Sequence, residues 1–351
     1  MNLELTDEQK MLRDSVDRFA SRRLETPLSG ADDVAETARG LRKELGDLGL
    51  WSLTAPVEAG GSGFDLPSAC LAIDALARRD AGTALTVALH VGLVVPTLAA
   101  ADNEPDLSLI GGEVPVGIIW PAVDSDLPVP LYAAEEDSSW TLDGGATALV
   151  PAEGAQAFLV LAIDFDDASK TKSFLVEPDQ IELHAHSSLG LDGPLQGRAQ
   201  LDQVIICSDR AVTSSTTPLL NDLALCLASV ALGVGQAALD EGLSYAAERE
   251  QFGRSLDKFQ AIRFKLADMA THLETSRWAV LRAAASKDDS LARLALRSSV
   301  DAALFVADEA LQIHGGYGYT EEYPVERLYR DSRQLSSLAE NWLAIGRDGL
   351  R

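Results

Sequence analysis

One segment near the C-terminal third, "EREQFG", carries residues suited to binding a phosphate-bearing ligand. Arg249 offers a planar guanidinium fork that matches phosphate oxygens. Gln251 and Phe252 extend the contact surface, and Gly253 lets the backbone turn beside them. A structural alternative for Arg249 is a surface salt bridge with the neighbouring Glu248 or with Asp240, nine residues earlier.

A second segment, "LQIHGGYGY", places Gln312 just before two adjacent glycines, Gly315 and Gly316. Paired glycines permit positive φ and a close approach of the backbone to a ligand. Gly315 also follows a long apolar helical pattern, so it is a candidate helix C-cap, and both roles are compatible. His314 is expected to pack in this turn.

These segments need helices to hold them, and the hydrophobic periodicity predicts three regions. Residues 1–110 have helical spacing, beginning with a capping box at Thr6 and Gln9. Residues 111–212 contain short apolar or alternating runs separated by Gly, Pro and Asp, typical of a small antiparallel β domain. Residues 213–351 predict three long helices and a shorter fourth, a four-helix bundle. The fold class is therefore α+β multidomain.

Composition excludes several functions. The net charge of −25 disfavours nucleic acid and anionic membranes. The polar start "MNLELTDEQK" predicts no signal peptide, and the Gly-interrupted apolar run 223–239 predicts a buried helix. The cysteines Cys70, Cys207 and Cys226 fit neither a disulfide framework nor a zinc site. We expect a cytoplasmic protein without a metal site.

The motifs occur in an order that resembles the acyl-CoA dehydrogenase family over the whole chain. "LTDEQKMLRDSVDRFA", "APVEAGGSGFDL", "AEREQFGRSLDKFQAIRFKLADMA" and "QIHGGYGYTEEYPVERLYRD" match in sequence. The resemblance implies α,β-dehydrogenation of an acyl-CoA: a glutamate removes the α-proton and FAD takes the β-hydride. It also implies a tetramer in which each FAD reaches onto a neighbouring subunit. An electron-transfer flavoprotein is the implied acceptor.

Carried over by resemblance, Arg249, Gln251, Phe252, Gln312, Gly315 and Gly316 would meet the ADP part of the neighbour's FAD. Tyr329, Arg330 and Asp331 match the family's structural "YRD". The contacts to the chain's own flavin ring are missing. "IWPAVDSD" stands where the family has "TEPGAGSD", so Ile119 replaces a flavin-bonding Thr and Asp124 replaces a Gly. Ala148 and Val150 stand at the Trp and Thr positions of the family's "WIT".

Neither of the two positions at which the family carries its catalytic glutamate has a glutamate in this sequence. "YRDSRQLSSLAEN" aligns with the family's "YRDAKIYQIYEGT" and puts Ala339 at the glutamate position. Glu340 is one residue further on, about 100° around a helix. The alternative base position, counted back from Gly253, is Leu223, followed by Ala224 where Arg is usual. Glu340 remains a candidate displaced base.

The residues that would contact a neighbour's FAD are kept, whereas those that would contact the chain's own flavin ring and supply the base are replaced. This difference suggests a hypothesis: the chain is the non-catalytic subunit of an α2β2 acyl-CoA dehydrogenase, sharing FAD with a catalytic partner subunit. The resemblance extends to two-chain enzymes of actinobacterial steroid breakdown, which suggests a bulky CoA ester as substrate. Three alternatives remain open. They are an active homotetramer using Glu340, a flavin-free scaffold on the same fold, and an oxidase-like subunit reoxidised by oxygen.

Overall fold

A computed structural model describes residues 4–101, 107–121, 130–136, 139–168, 170–213, 217–286 and 288–345. Asp124 lies outside the described residues. Helices come first, then a β domain, then a second set of helices. This arrangement confirms the α+β class predicted from the hydrophobic periodicity.

The N-terminal region is a helical layer that packs on the C-terminal helices. Thr6 caps the first helix, and its capping box with Gln9 is formed as predicted. Between α4 and α5 the helix widens into one π turn, His90–Val94, a local form often found at functional sites. The helices are α1 (Asp7–Arg23), α2 (Val34–Asp47), α3 (Leu66–Ala77), α4 (Ala81–Leu89), α5 (Val95–Ala99) and α6 (Leu107–Ile110).

The middle region forms one eight-stranded sheet with order β6-β7-β3-β1-β4-β5-β8, and β2 pairs with both β3 and β4. The sheet is mixed, because β1 and β2 each run parallel to β4, whereas the sequence predicted an antiparallel domain. Alternating apolar runs fit either direction, so the periodicity could not distinguish them. The strands are β1 (Val116–Pro121), β2 (Tyr132–Glu136), β3 (Ser139–Val150), β4 (Ala157–Asp164), β5 (Thr171–Val176), β6 (Glu182–His186), β7 (Leu195–Cys207) and β8 (Ala211–Thr213).

Four helices form the C-terminal bundle: α7 (Thr217–Glu248), α8 (Gln260–Ser286), α9 (Asp289–His314) and α10 (Pro324–Ile345). A two-stranded hairpin, β9 (Glu250–Gln251) and β10 (Arg254–Ser255), links α7 to α8. Within the described residues, two helical stretches, Ala81–Ala99 and Leu220–Glu248, have the length and composition to cross a membrane. Because 89% and 83% of their apolar windows are buried inside the fold, they are core helices.

The side chains on the two faces of β1 belong to two different hydrophobic clusters. Ile118 and Trp120 belong to the large cluster shared by the N-terminal helices and the bundle. Ile119 belongs to a smaller cluster inside the β domain. Alternate side chains of a strand point to opposite faces, so β1 contributes to both cores. Cys70 and Cys226 are buried and Cys207 is exposed, and all three are free thiols.

Candidate functional site

The hairpin after α7 presents Arg249, Gln251 and Phe252 to solvent. Phe252 and Gly253 form its two-residue turn, both with positive φ, +53° and +77°. Such a turn matches the twist of the flanking strands, but positive φ is costly for a non-glycine residue. Phe252 is also 93% exposed. A strained and exposed phenylalanine indicates a contact surface for another molecule.

The end of α9 presents a second open surface. Gln312, Gly315 and Gly316 are all exposed, and within the described residues no atom beyond the adjoining chain lies within 4 Å of the position of a Cβ on either glycine. Gly315 has φ +61° and ψ −135°, and its N–H donates to the Gln312 carbonyl. The glycine therefore terminates the helix, as the C-cap interpretation expected, and leaves the backbone accessible.

Aromatic contacts bring the two segments together. The Arg249 guanidinium carbon lies 5.5 Å from the centroid of the Tyr317 ring. Beneath it, Tyr245 of α7 stacks on His314 of α9 with ring centroids 4.1 Å apart. Burial raises the pKa of the Tyr245 hydroxyl. These contacts fix the end of α7 against the end of α9 and place Arg249 above the turn that contains the glycines.

The structure separates the alternatives for Arg249 and His314. Among the described residues, Glu248 accepts a hydrogen bond from Ser244 and Asp240 accepts one from Gln236, whereas the Arg249 guanidinium lies over the Tyr317 ring. His314 is buried, and its Nδ1 lies 2.8 Å from the Ala310 carbonyl oxygen. The histidine therefore packs in the turn, as expected, and the arginine faces outward.

A cavity of about 400 Å³ lies between the sheet and α10. It is beside Ala148 and next to the stretch that contains Ala339, where the resemblance implies the flavin ring and the base. Strands β1, β3, β6 and β7 form one wall, and Gln334, Ser337, Leu338 and Asn341 of α10 form the other. The fit of a flavin ring to this cavity depends on the residues that replace the family's contacts.

Those replacements do not offer hydrogen bonds. Ile119 and Val150 lie inside the β-domain cluster, and Ala148 lines the cavity from the same cluster. Ile119 is the cross-strand partner of Ala148. An unpaired polar flavin edge would lose roughly 1–3 kcal/mol for each missing bond. The residues described around this cavity therefore do not fit the flavin ring as the family's motifs would.

The base position is apolar. Ala339 and its neighbour Leu338 are buried in the large cluster. Glu340 points away, with its side chain 64% exposed and Oε1 3.6 Å from an Arg297 guanidinium nitrogen on α9. It is not among the described residues that line the cavity. The one-residue shift therefore moves the carboxylate to the outer face of α10.

The alternative base position is closed by helix packing. Leu223 is fully buried. A Cβ on Gly92, in the π turn, would lie 2.9 Å from the Leu223 Cα and 2.9 Å from the Cys226 Sγ. The backbone of the π turn therefore rests directly on α7, and no acyl chain could pass between them at this point.

Sequence reasoning missed two tryptophans that fill the space near Ala339. Trp120 of β1 and Trp342 of α10 are both buried, with ring centroids 6.1 Å apart. The Trp342 Nε1–H donates to the Leu220 carbonyl, 3.2 Å away, at the start of α7. Both indoles directly follow departures from the family motifs, Trp120 after Ile119 and Trp342 after Asn341. That adjacency was the signal available in the sequence.

The "YRD" residues fasten α10 to the β domain, as the structural interpretation expected. Asp331 Oδ1 accepts a hydrogen bond of 2.7 Å from the Leu191 N–H. Arg330 donates to the Leu189 carbonyl and contacts Asp192. Burial raises the pKa of Asp331 to about 6. This anchor sets the position of α10 beside the cavity.

Comparisons with known proteins agree with this fold and these motifs. Residues 6–104 match the family model of the acyl-CoA dehydrogenase N-terminal domain, and residues 213–339 match that of the C-terminal domain. The chain is 31% identical to the protein named "Probable acyl-CoA dehydrogenase YngJ" of Bacillus subtilis, over 95% of each chain.

Solved structures show the same likeness. The butyryl-CoA dehydrogenase of Megasphaera elsdenii is 26% identical, with a TM-score of 0.85 over 100% of both chains. A chain from a structure titled "Electron transferring flavoprotein of Acidaminococcus fermentans" is 25% identical, with a TM-score of 0.85 over 100% of this chain and 99% of that one. The protein therefore belongs to the acyl-CoA dehydrogenase family of oxidoreductases.

Proposed function

We propose that this chain is the non-catalytic subunit of a heterotetrameric, FAD-dependent acyl-CoA dehydrogenase. A catalytic partner subunit supplies the base, the flavin-ring pocket and the acyl-CoA pocket. This chain supplies Arg249, Gln251, Phe252, Gln312, Gly315 and Gly316 to the ADP part of the partner's FAD. An α2β2 assembly of this kind holds two FAD.

One observation carries the proposal: both family positions for the base, Ala339 and Leu223, are occupied by buried apolar residues. A general base must reach the substrate proton within hydrogen-bond distance. Neither position can provide one, and Trp342 packs beside the first of them. Neither alanine nor leucine has an ionisable group, so these two positions cannot abstract a proton.

The exposed residues at the ends of α7 and α9 support the proposal that this chain contacts the partner's FAD. Arg249 is exposed and lies over Tyr317, so its guanidinium is available to phosphate oxygens. The open positions at Gly315 and Gly316 allow close approach of a nucleotide. Phe252 offers an exposed aromatic face. This combination of an exposed guanidinium, an exposed aromatic ring and an open backbone favours a nucleotide-binding surface over a flavin-free scaffold.

The active homotetramer depends on Glu340, and the geometry is unfavourable to it. The Glu340 carboxylate faces Arg297 on the outer surface of the bundle, away from the cavity. A flavin-free scaffold and an oxidase-like subunit are distinguished by experiment. The proposed acceptor is an electron-transfer flavoprotein, and the proposed compartment is the cytoplasm, where the free thiols would stay reduced.

The test is to count FAD. The chain is purified alone and then co-expressed with a longer acyl-CoA dehydrogenase subunit that retains its glutamate. We expect the isolated chain to be colourless and the complex to contain two FAD for four chains. Four FAD in the complex, or one FAD per isolated chain with turnover, would refute the proposal. Oxygen consumption without an electron-transfer acceptor would identify an oxidase.

The substrate is proposed to be a bulky CoA ester such as a steroid side-chain ester. A subunit that binds no acyl-CoA itself leaves room for a large acyl group at the partner's site. A panel of CoA esters from short straight chains to polycyclic acyl groups tests this point. Turnover confined to the short straight chains would refute the substrate proposal and leave the subunit proposal intact.

A further inference from the structure

The backbone of Arg249 is held by hydrogen bonds on both sides. Its N–H donates to the Tyr245 carbonyl at 2.8 Å, and its carbonyl accepts from the Leu256 N–H at 2.9 Å. The Tyr245 ring stacks on His314, so this backbone is also tied to the end of α9. With the backbone fixed, the direction of the guanidinium depends on what the side chain contacts.

Two adjoining carboxylates are potential partners of this guanidinium. Glu248 and Glu250 stand on either side of Arg249 in the sequence, and all three residues are exposed. An arginine between two glutamates, in a chain with a net charge of −25, has an ion pair close at hand. Such a pair would compensate the positive charge and occupy N–H groups that a phosphate needs.

The Tyr317 ring gives the guanidinium a different partner. The guanidinium carbon of Arg249 lies 5.5 Å from the centroid of this ring, within the range of a cation–π contact. Because the ring is neutral, the arginine keeps its positive charge. A contact with a ring face also does not occupy the guanidinium fork in the way that a carboxylate does.

Neighbouring rings support Tyr317. The Tyr323 ring lies 5.7 Å from it, centroid to centroid, and is itself partly buried against the large hydrophobic cluster. Tyr323 also meets Tyr245 and His314 edge-on, with centroids 5.8 and 5.5 Å away. Tyr317 is 46% exposed, so its ring lies at the surface above this group. The aromatic contacts that join α7 to α9 therefore also set the position of the Tyr317 ring.

We propose that Tyr317 is a positioning residue for Arg249. Its ring holds the guanidinium away from Glu248 and Glu250 and keeps it available to the phosphates of the partner's FAD. The inference rests on the proposed function, which assigns Arg249 to the ADP part of that cofactor. It adds a residue that acts through the arginine, so the effect of Tyr317 on FAD affinity requires Arg249 to be present.

The test measures the FAD affinity of the complex after removal of its cofactor, by titration with FAD and flavin fluorescence. We expect Tyr317→Leu to weaken FAD binding about threefold to fivefold, the usual size of an exposed cation–π contact. Tyr317→Phe keeps a ring under the guanidinium and should stay within about twofold of the wild type. The matched control is Tyr329→Leu, which removes a ring 5.2 Å from the guanidinium carbon of Arg333 on α10 and should leave FAD affinity unchanged.

The same substitution in an Arg249→Gln complex separates positioning from direct contact. Arg249→Gln alone should weaken FAD binding at least about tenfold, because hydrogen bonds from a charged donor are lost. Tyr317→Leu added to it should change FAD affinity by less than about 1.5-fold, because no guanidinium remains to be positioned. Equal losses in the two backgrounds would mean that Tyr317 acts without the arginine, and would overturn the proposal.

Two further results would overturn the proposal. They are wild-type FAD affinity in the Tyr317→Leu complex, and a Tyr317→Phe complex that binds FAD as weakly as Tyr317→Leu. The Arg249→Gln complex distinguishes this failure from that of the proposed function. If Arg249→Gln weakens FAD binding and Tyr317→Leu does not, only the positioning role fails. If Arg249→Gln itself binds FAD as tightly as the wild type, the positioning role and the proposed function both fail.

Discussion

The Trp342 indole meets the Trp120 indole edge-on, with ring centroids 6.1 Å apart and ring planes at 76°. Trp342 lies three residues beyond Ala339 on α10, and Trp120 lies one residue beyond Ile119 on β1. Trp120 and Trp342 therefore pack together in one core, close in sequence to Ile119 and Ala339. This contact packs α10 against β1 beside the cavity that Trp120 lines.

The first prediction concerns the contribution of Trp342 to stability. Because the indole is buried and its Nε1–H is hydrogen-bonded to Leu220, Trp342→Ala should lower the free energy of unfolding by about 3–5 kcal/mol. Urea denaturation of the isolated chain measures it. Trp278→Ala, at a tryptophan of α8 that is 41% exposed, should cost much less. Equal losses would mean that Trp342 is not a core residue.

The second prediction concerns Glu340. Since its carboxylate faces Arg297 and not the cavity, Glu340→Gln should leave kcat of the complex within about twofold. A catalytic base would lose at least about 100-fold, in line with the usual contribution of general-base catalysis. Steady-state turnover with a CoA ester is the readout, and Glu321→Gln, at another exposed carboxylate, is the matched control. A large loss at Glu340 alone would establish the displaced base.

The third prediction separates two neighbouring glycines. Gly315 has φ +61° and ψ −135°, so Gly315→Ala should cost the isolated chain about 1–3 kcal/mol of stability. In the part of the chain that the structure describes, no atom beyond the adjoining residues lies within 4 Å of the Cβ position of Gly316, so Gly316→Val should leave that stability nearly unchanged. In the complex the valine should weaken FAD binding, because it occupies space next to the nucleotide. Thermal melts of the chain and FAD titration of the complex make the comparison. Unchanged FAD affinity with Gly316→Val would contradict a cofactor contact there.

The fourth prediction is a pH dependence caused by Asp331. Burial raises its pKa to about 6 in the folded chain, above the ordinary 3.8. The folded state then binds the proton more tightly, so this stabilisation is complete below about pH 3.8 and is lost as the pH rises through about 6. The span corresponds to about 3 kcal/mol.

Asp331→Asn removes this titration and keeps an acceptor for the Leu191 N–H. The free energy of unfolding of the wild type, relative to Asp331→Asn, should fall between pH 4.5 and 7. Denaturation curves at several pH values measure the difference, with Asp202→Asn as an exposed charge control. A difference that is flat or that rises over this range would be the opposite of the expected sign.

The order of helices, β domain and bundle was predictable because long amphipathic repeats and short alternating runs differ in period. The capping box at Thr6 and the helix end at Gly315 followed from local chemistry that depends on few residues. The parallel pairing of β1 with β4 was not predictable, because strand direction is set by tertiary contacts and not by alternation. The same applies to the π turn at His90–Val94.

Some features of the candidate site were likewise predictable from the sequence, and others were not. The exposed side chain of Arg249 and the open backbone at Gly316 were predictable, because arginine and paired glycines in these motifs indicate phosphate binding and close backbone approach. The contact of Gly92 with Leu223 joins residues far apart in the chain, and no local pattern encodes it. The gathering of His184 and Arg198 around one cavity likewise appears only when the strands are assembled.

The most direct test of the central claim replaces Arg249 in the purified complex and counts FAD. Arg249→Ala should lose most of the partner's FAD, whereas Arg297→Ala, at an exposed arginine paired with Asp301 elsewhere on the bundle, should keep it. Assembly of the four chains should be unchanged in both. Full FAD content in the Arg249→Ala complex would contradict the account, because the chain would then take no part in holding the cofactor.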